Sequence, residues 1–143
     1  MISQPYPGST ATSSRAHVLL VEDEPTLARV FGLVLTGAGY SVTACADGAE
    51  ALQSFRASPD RVQVIVSDVT MPRLSGDQLA RAVHEIRPEV PIILMSGCST
   101  LLADSVRTVG IAEILQKPVG IDDLVGAVES ALERERLRTR AVR

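Results

Sequence analysis

The amino-acid sequence predicts an α/β protein: a three-layer α/β/α sandwich built on five parallel strands. Three observations carry this. From His17 onward, five short apolar runs alternate with five amphipathic stretches. The connections between them are only a few residues long, which implies right-handed crossovers and a parallel sheet covered on both faces. Runs such as Val18-Leu19-Leu20-Val21 and Ile92-Ile93-Leu94-Met95 are continuous rather than alternating, as strands buried on both sides require.

The elements follow in order. Residues 1–16 are rich in Ser, Thr and Pro without apolar periodicity, and are expected to form a disordered leader. The expected strands are Val18–Val21, Tyr40–Cys45, Val62–Ser67, Pro91–Met95 and Ile111–Leu115. A first helix is marked by Leu27, Val30, Phe31, Val34 and Leu35 at i, i+3, i+4, i+7 and i+8, and ends at Gly37 and Gly39. Asp47-Gly48 opens a second helix holding Leu52 and Phe55. Leu79, Val83 and Ile86 mark a third, and Pro88 and Pro91 bracket the entry to the fourth strand. Leu101, Leu102, Val106 and Val109 mark a fourth helix, closed by Gly110. Ile121, Leu124, Val125, Val128 and Leu132 mark a fifth. Residues 17–137 read as one domain and 138–143 as a basic tail.

Composition excludes several function classes. The chain has 143 residues, 45% of them hydrophobic, and a formal net charge of −3. A chain of this size can bury a core without disulfides or a structural metal. No run approaches the roughly 18 consecutive apolar residues of a membrane span, and no signal peptide is visible, so a cytoplasmic protein is expected. Cys45 and Cys98 lie far apart without zinc-ligand spacing and read as reduced thiols. The acidic balance argues against nucleic-acid binding. Of fourteen basic residues thirteen are Arg, and the single Lys, Lys117, precedes Pro118. A compact ammonium and a planar guanidinium are not interchangeable where a point charge must meet a phosphate or carboxylate, so Lys117 stands out.

In an open α/β sheet, ligands bind beyond the carboxyl ends of the strands. There the sequence places Glu22-Asp23-Glu24 after strand one, Asp68 after strand three, Ser96-Gly97 after strand four and Lys117-Pro118 after strand five. Carboxylates sharing a site must hold protons or bind a cation, and hard oxygen donors suit Mg²⁺. Helix capping beside Pro25 accounts for one of the three clustered acids well and for all three poorly. A carboxylate, a divalent cation, a hydroxyl and a Lys, without a His or Cys base, suit phosphoryl transfer to an Asp nucleophile.

These residues resemble the receiver domains of two-component response regulators. The resemblance rests on Val21-Glu22-Asp23-Glu24, Ser67-Asp68-Val69-Thr70-Met71-Pro72 with Gly76, Met95-Ser96-Gly97 and Gln116-Lys117-Pro118, each motif behind its own strand. It implies a flavodoxin-like fold of strand order 2-1-3-4-5. It also implies that Asp68 accepts a phosphoryl group from a sensor histidine kinase or histidine phosphotransfer protein. Glu22, Asp23, Asp68 and the backbone carbonyl of Thr70 would hold Mg²⁺. Ser96 would bond the new phosphate and Lys117 pair with it, with a cis peptide bond before Pro118. The expected output is a two-state surface around the fourth helix, fifth strand and fifth helix, through which a homodimer could also form, with no output domain in this chain.

The wording is similar to receivers attached to hybrid sensor kinases. It departs from the family where Ile114 replaces an aromatic often found three residues before the Lys, and where Gly97 replaces a frequent Ala. Thr70 and Cys98 are expected to tune the lifetime of the phosphate. Two further readings belong to other classes: an interaction module that does not turn over phosphate, and a haloacid-dehalogenase-like phosphatase. The second family uses a DxD motif, and here Thr70 occupies the place of its second Asp.

Overall fold

The structure, a computed structural model, describes residues 16–97 and 110–141. The elements are β1 (His17–Val21), α1 (Pro25–Gly37), β2 (Ser41–Cys45), α2 (Gly48–Ala57), a 3-10 turn (Pro59–Arg61), β3 (Val64–Asp68), α3 (Gly76–Ile86), β4 (Ile92–Ser96), β5 (Ile111–Gln116) and α4 (Ile121–Ala141). The fourth helix expected over Leu101 to Val109, Cys98 and the expected leader up to residue 15 lie outside the described residues, whereas Ala16, counted in that leader, accepts from the N–H of Ser41 at 2.9 Å. All five strands are parallel, in the order β2-β1-β3-β4-β5, the order the resemblance implied.

Each continuous apolar run resolves into two interleaved stripes, because successive side chains on a strand point to opposite faces. Val18, Leu20, Val64, Val66, Ile93 and Met95 pack with Phe31 and Leu35 of α1 and Leu124 and Val128 of α4. Leu19, Val21, Ile65, Ile92 and Leu94 pack on the other face with Ala51 and Phe55 of α2 and Leu79 and Val83 of α3. The buried stripe of α1 is narrower than the sequence pattern suggested. Val30 and Leu33 are exposed, since they lie about 100° around the helix from Phe31 and Val34.

Strand β3 begins two residues later than expected. Val62 is buried but its carbonyl accepts from Arg87 Nη1 at 2.9 Å rather than joining the ladder, and Arg87 Nη1 also donates to the carbonyl of Pro59. The late start carries β3 on to Asp68, which pairs with Met95 of β4. Helix α4 continues past Leu137 to Ala141, with Arg136 paired to Glu133 and Arg138 to Glu135 on its exposed last turns. Such i,i+3 pairs support a helix beyond the reach of the core. Among the described residues, no helix is long and apolar enough to cross a membrane.

At the opposite edge from the acidic residues, the His17 ring meets Thr43 Oγ1 at 2.6 Å and its backbone N–H donates to Gln63 Oε1. Burial, followed by the nearby Arg61 guanidinium, holds the imidazole below its usual pKa. The unfolded chain therefore binds a proton more readily, and folding stability is lost as pH falls below about 6.5. We expect the thermal midpoint to drop less between pH 7.5 and pH 5 in His17→Gln than in the unaltered protein. Parallel pH dependences would refute this.

Candidate functional site

Backbone register delivers the polar residues to one edge. Val21 pairs with Cys45 and with Ser67, Asp68 with Met95, and Ser96 with Gln116, so the residues that follow these strands emerge together at the carboxyl edge of the sheet. Glu22 extends β1 by donating its N–H to the carbonyl of Cys45 at 3.1 Å. The backbone N–H of Lys117 donates to the carbonyl of Ser96 at 2.8 Å, and the Lys117–Pro118 peptide bond is cis.

The acidic triplet divides by role. Glu24 is the N-cap of α1: its carboxylate accepts from the N–H groups of Thr26 and Leu27 at 3.1 and 3.0 Å, with Pro25 in the first turn. Glu22 and Asp23 instead converge with Asp68, with a carboxylate oxygen from each lying within 4.8 Å of the others. Glu22 and Asp68 are almost fully buried and Asp23 is exposed. Capping thus accounts for one acid, and the like-charge problem remains for the other two and Asp68.

Lys117 answers part of it. Its Nζ lies 2.6 Å from Asp68 Oδ1 and 3.7 Å from Glu22 Oε1. Burial opposes the ammonium charge, but the bond to Asp68, with the charges of Asp68, Glu22 and Asp23, outweighs it and raises the Lys117 pKa. One ammonium does not balance three carboxylates. Burial, followed by the neighbouring Asp68, pushes Glu22 up to about 8, even though the N–H of Glu24 donates to its Oε2 at 3.0 Å. Glu22 Oε1 and Asp68 Oδ2 are buried without a hydrogen-bond partner. Buried oxygens are ordinarily partnered. An all-oxygen donor set with spare buried lone pairs fits a hard divalent cation.

Of the other expected site residues, Ser96 is buried at the end of β4 and Thr70 is exposed, two residues past Asp68. A Cβ built on Gly97 would meet nothing within 4 Å among the described residues. Gly76 is different. A Cβ there would lie 2.2 Å from the backbone carbonyl oxygen of Asp68, and its N–H donates to the carbonyl of Val69 at 2.8 Å. The first residue of α3 therefore presses against the main chain that carries Asp68.

The family model described as the response regulator receiver domain matches residues 18–129. This chain belongs to that family. Over 121 residues it is 36% identical to the transcriptional regulatory protein GlrR of Escherichia coli (strain K12), covering 83% of this chain and 27% of that protein. The chain thus spans about a quarter of the length of that regulator. It is 32% identical over 119 residues to the response regulator receiver protein CpdR of Brucella abortus (strain 2308), covering 80% of this chain and 95% of that protein. Among solved structures, a response regulator receiver domain protein from Clostridium thermocellum superposes with a TM-score of 0.77 at 29% identity, covering 85% of this chain and 98% of that one. The chain is accordingly a receiver domain of two-component signalling.

Two substitutions separate the architecture of this edge from its chemistry. Glu24→Ala should cost about 1 kcal/mol of stability through loss of the cap while leaving Mg²⁺ binding unchanged; a matching loss of Mg²⁺ affinity would place Glu24 among the ligands. Gly76→Ala should destabilise by about 1–3 kcal/mol, because the backbone of Asp68 must shift to admit the methyl group. Denaturant unfolding measures both, and an unshifted midpoint for Gly76→Ala would contradict the close approach.

Proposed function

We propose that Asp68 is the phosphoacceptor of this receiver, in a Mg²⁺-dependent reaction whose donor is a phosphohistidine on a sensor histidine kinase or histidine phosphotransfer protein. The observation that supports it most is the contact of the single Lys, Lys117, with Asp68 at 2.6 Å inside a cluster of three carboxylates. The cation would be held by Glu22, Asp23, Asp68 and the backbone carbonyl of Thr70. When bound it offsets negative charge on the transferring phosphoryl group and on the carboxylates around it.

The residues of the chain divide the remaining work. Asp68 supplies the nucleophilic oxygen, forming an O–P bond as the N–P bond of the donor breaks and the electron pair leaves with the imidazole nitrogen. Lys117, already paired with the carboxylate, transfers its contact to a phosphoryl oxygen. Ser96 then donates its hydroxyl hydrogen to the same group. Both moves bring charge-assisted hydrogen bonds to a group that carries about −1.5 to −2 charge, and they supply the free energy for switching. The chain assists its own phosphorylation and dephosphorylation and acts on no other substrate. We place it in the cytoplasm, as one receiver unit that begins at His17 and whose basic C-terminal residues continue α4 to Ala141. Its output passes through β5, α4 and the helix that the sequence predicts over Leu101 to Val109, where the phosphorylated form self-associates.

Acetyl phosphate and Mg²⁺ test the reading without a known kinase. Intact mass should show one added phosphoryl group on the protein, not formed when chelator is present during the incubation and absent from Asp68→Asn. No adduct on folded protein with Mg²⁺ present would overturn it in favour of an interaction module independent of phosphate.

A further inference from the structure

Arg73 is the one non-glycine residue at positive φ among those described, at φ 73°. That left-handed region disfavours a side chain with a Cβ, and Gly, Asn or Asp are its ordinary occupants. An outlier of this kind persists only where surrounding contacts enforce it. Here those contacts are identifiable. Arg73 Nη1 meets Asp47 Oδ2 at 3.4 Å, while Asp47 Oδ1 accepts from the N–H of Glu50 at 2.8 Å as the N-cap of α2. The next residue of the loop, Leu74, lies so close over Gly48 that a Cβ there would come within 2.3 Å of the Leu74 carbonyl oxygen.

The loop from Val69 to Ser75 is therefore fixed at two places. Gly76 holds its far end against the main chain of Asp68, and the first turn of α2 holds its middle. Thr70 is exposed and lies in the same loop, between the end of β3 and the anchor at Arg73 and Leu74.

We propose that Arg73 is a positioning residue for the cation site. Through Asp47, it holds the β3–α3 loop in the conformation that presents the Thr70 carbonyl beside Asp68. This deepens the phosphoacceptor reading and rests on it. The Arg73 side chain is three-quarters exposed, so the pair has the modest strength of a surface ion pair and the expected effect is correspondingly small.

The test follows amide chemical shifts against MgCl₂ for the full chain and for Arg73→Gly, Asp47→Asn and the double variant, with thermal midpoints taken in chelator. Asn retains an oxygen for capping α2, and Gly relieves the backbone at φ 73°. Arg73→Gly should bind Mg²⁺ about two- to five-fold more weakly, yet melt no lower than the unaltered protein. A merely structural role would move stability and affinity together. Asp47→Asn should lose the same factor, the double variant no more than either, and about 1 M salt should erase the differences. Affinities of both single variants equal to the unaltered protein would overturn the proposal, as would losses that multiply in the double variant. Absence of Mg²⁺ binding in the unaltered protein would instead overturn the phosphoacceptor reading, and this inference with it.

Discussion

The arrangement of the whole carboxyl edge follows from one electrostatic constraint: two buried carboxylates and a third exposed one share a space under 5 Å across with a single ammonium. Such a cluster is unfavourable in isolation, since burial penalises charge and like charges penalise one another. It survives because the rest of the domain is committed to a core that does not depend on it. Val18, Leu19, Leu20, Ile65, Val66, Ile93 and Leu94 are fully buried beneath it. The strain is concentrated where function needs it and balanced where function is absent.

The sheet order explains why these groups meet. With β1 and β3 adjacent at the centre, the carboxyl ends of two neighbouring strands supply Glu22, Asp23 and Asp68, and β4 and β5 supply Ser96 and Lys117 on one side. No loop has to reach across the sheet. Each functional residue lies within two positions of a strand end, so its place is set by backbone ladders whose positions are fixed by packing on both faces. A site assembled this way is precise because its supports are rigid.

Much of this was legible in the sequence. Continuous apolar runs marked the parallel strands, and the polar residues after four of them lie at one edge of the sheet. What was not legible depended on particular partners. Glu22, Asp23 and Glu24 are chemically alike, and only the hydrogen bonds to Thr26 and Leu27 assign Glu24 to capping. Gly76 was visible as a motif position, but its reason, the main chain of Asp68 at its α-carbon, is a tertiary contact between residues eight apart. Val30 fitted the helical pattern yet is exposed, because a helix on a sheet buries one stripe and periodicity does not fix its width. Arg73 carried no signal at all, since neither its φ nor its pairing with Asp47, 26 residues away, follows from local sequence.

The strand that carries Lys117 differs from the other four. β5 is an edge strand with a register irregularity opposite Ile92 and Ile93, where Ile111 and Glu113 are partners and Ala112 is passed over. The Ala112 carbonyl is taken up by Arg134 Nη2 of α4 at 3.2 Å. At its other end the strand is joined to β4 through the N–H of Lys117 and the carbonyl of Ser96. Among the described residues, then, the hydroxyl and the ammonium of the site are one backbone hydrogen bond apart, on strands of which only β4 is locked between two neighbours. Ile114 lies on β5, half-buried against the core face shared with α2 and α3, so the strand that leads into Lys117 carries an aliphatic, not an aromatic, side chain near its middle.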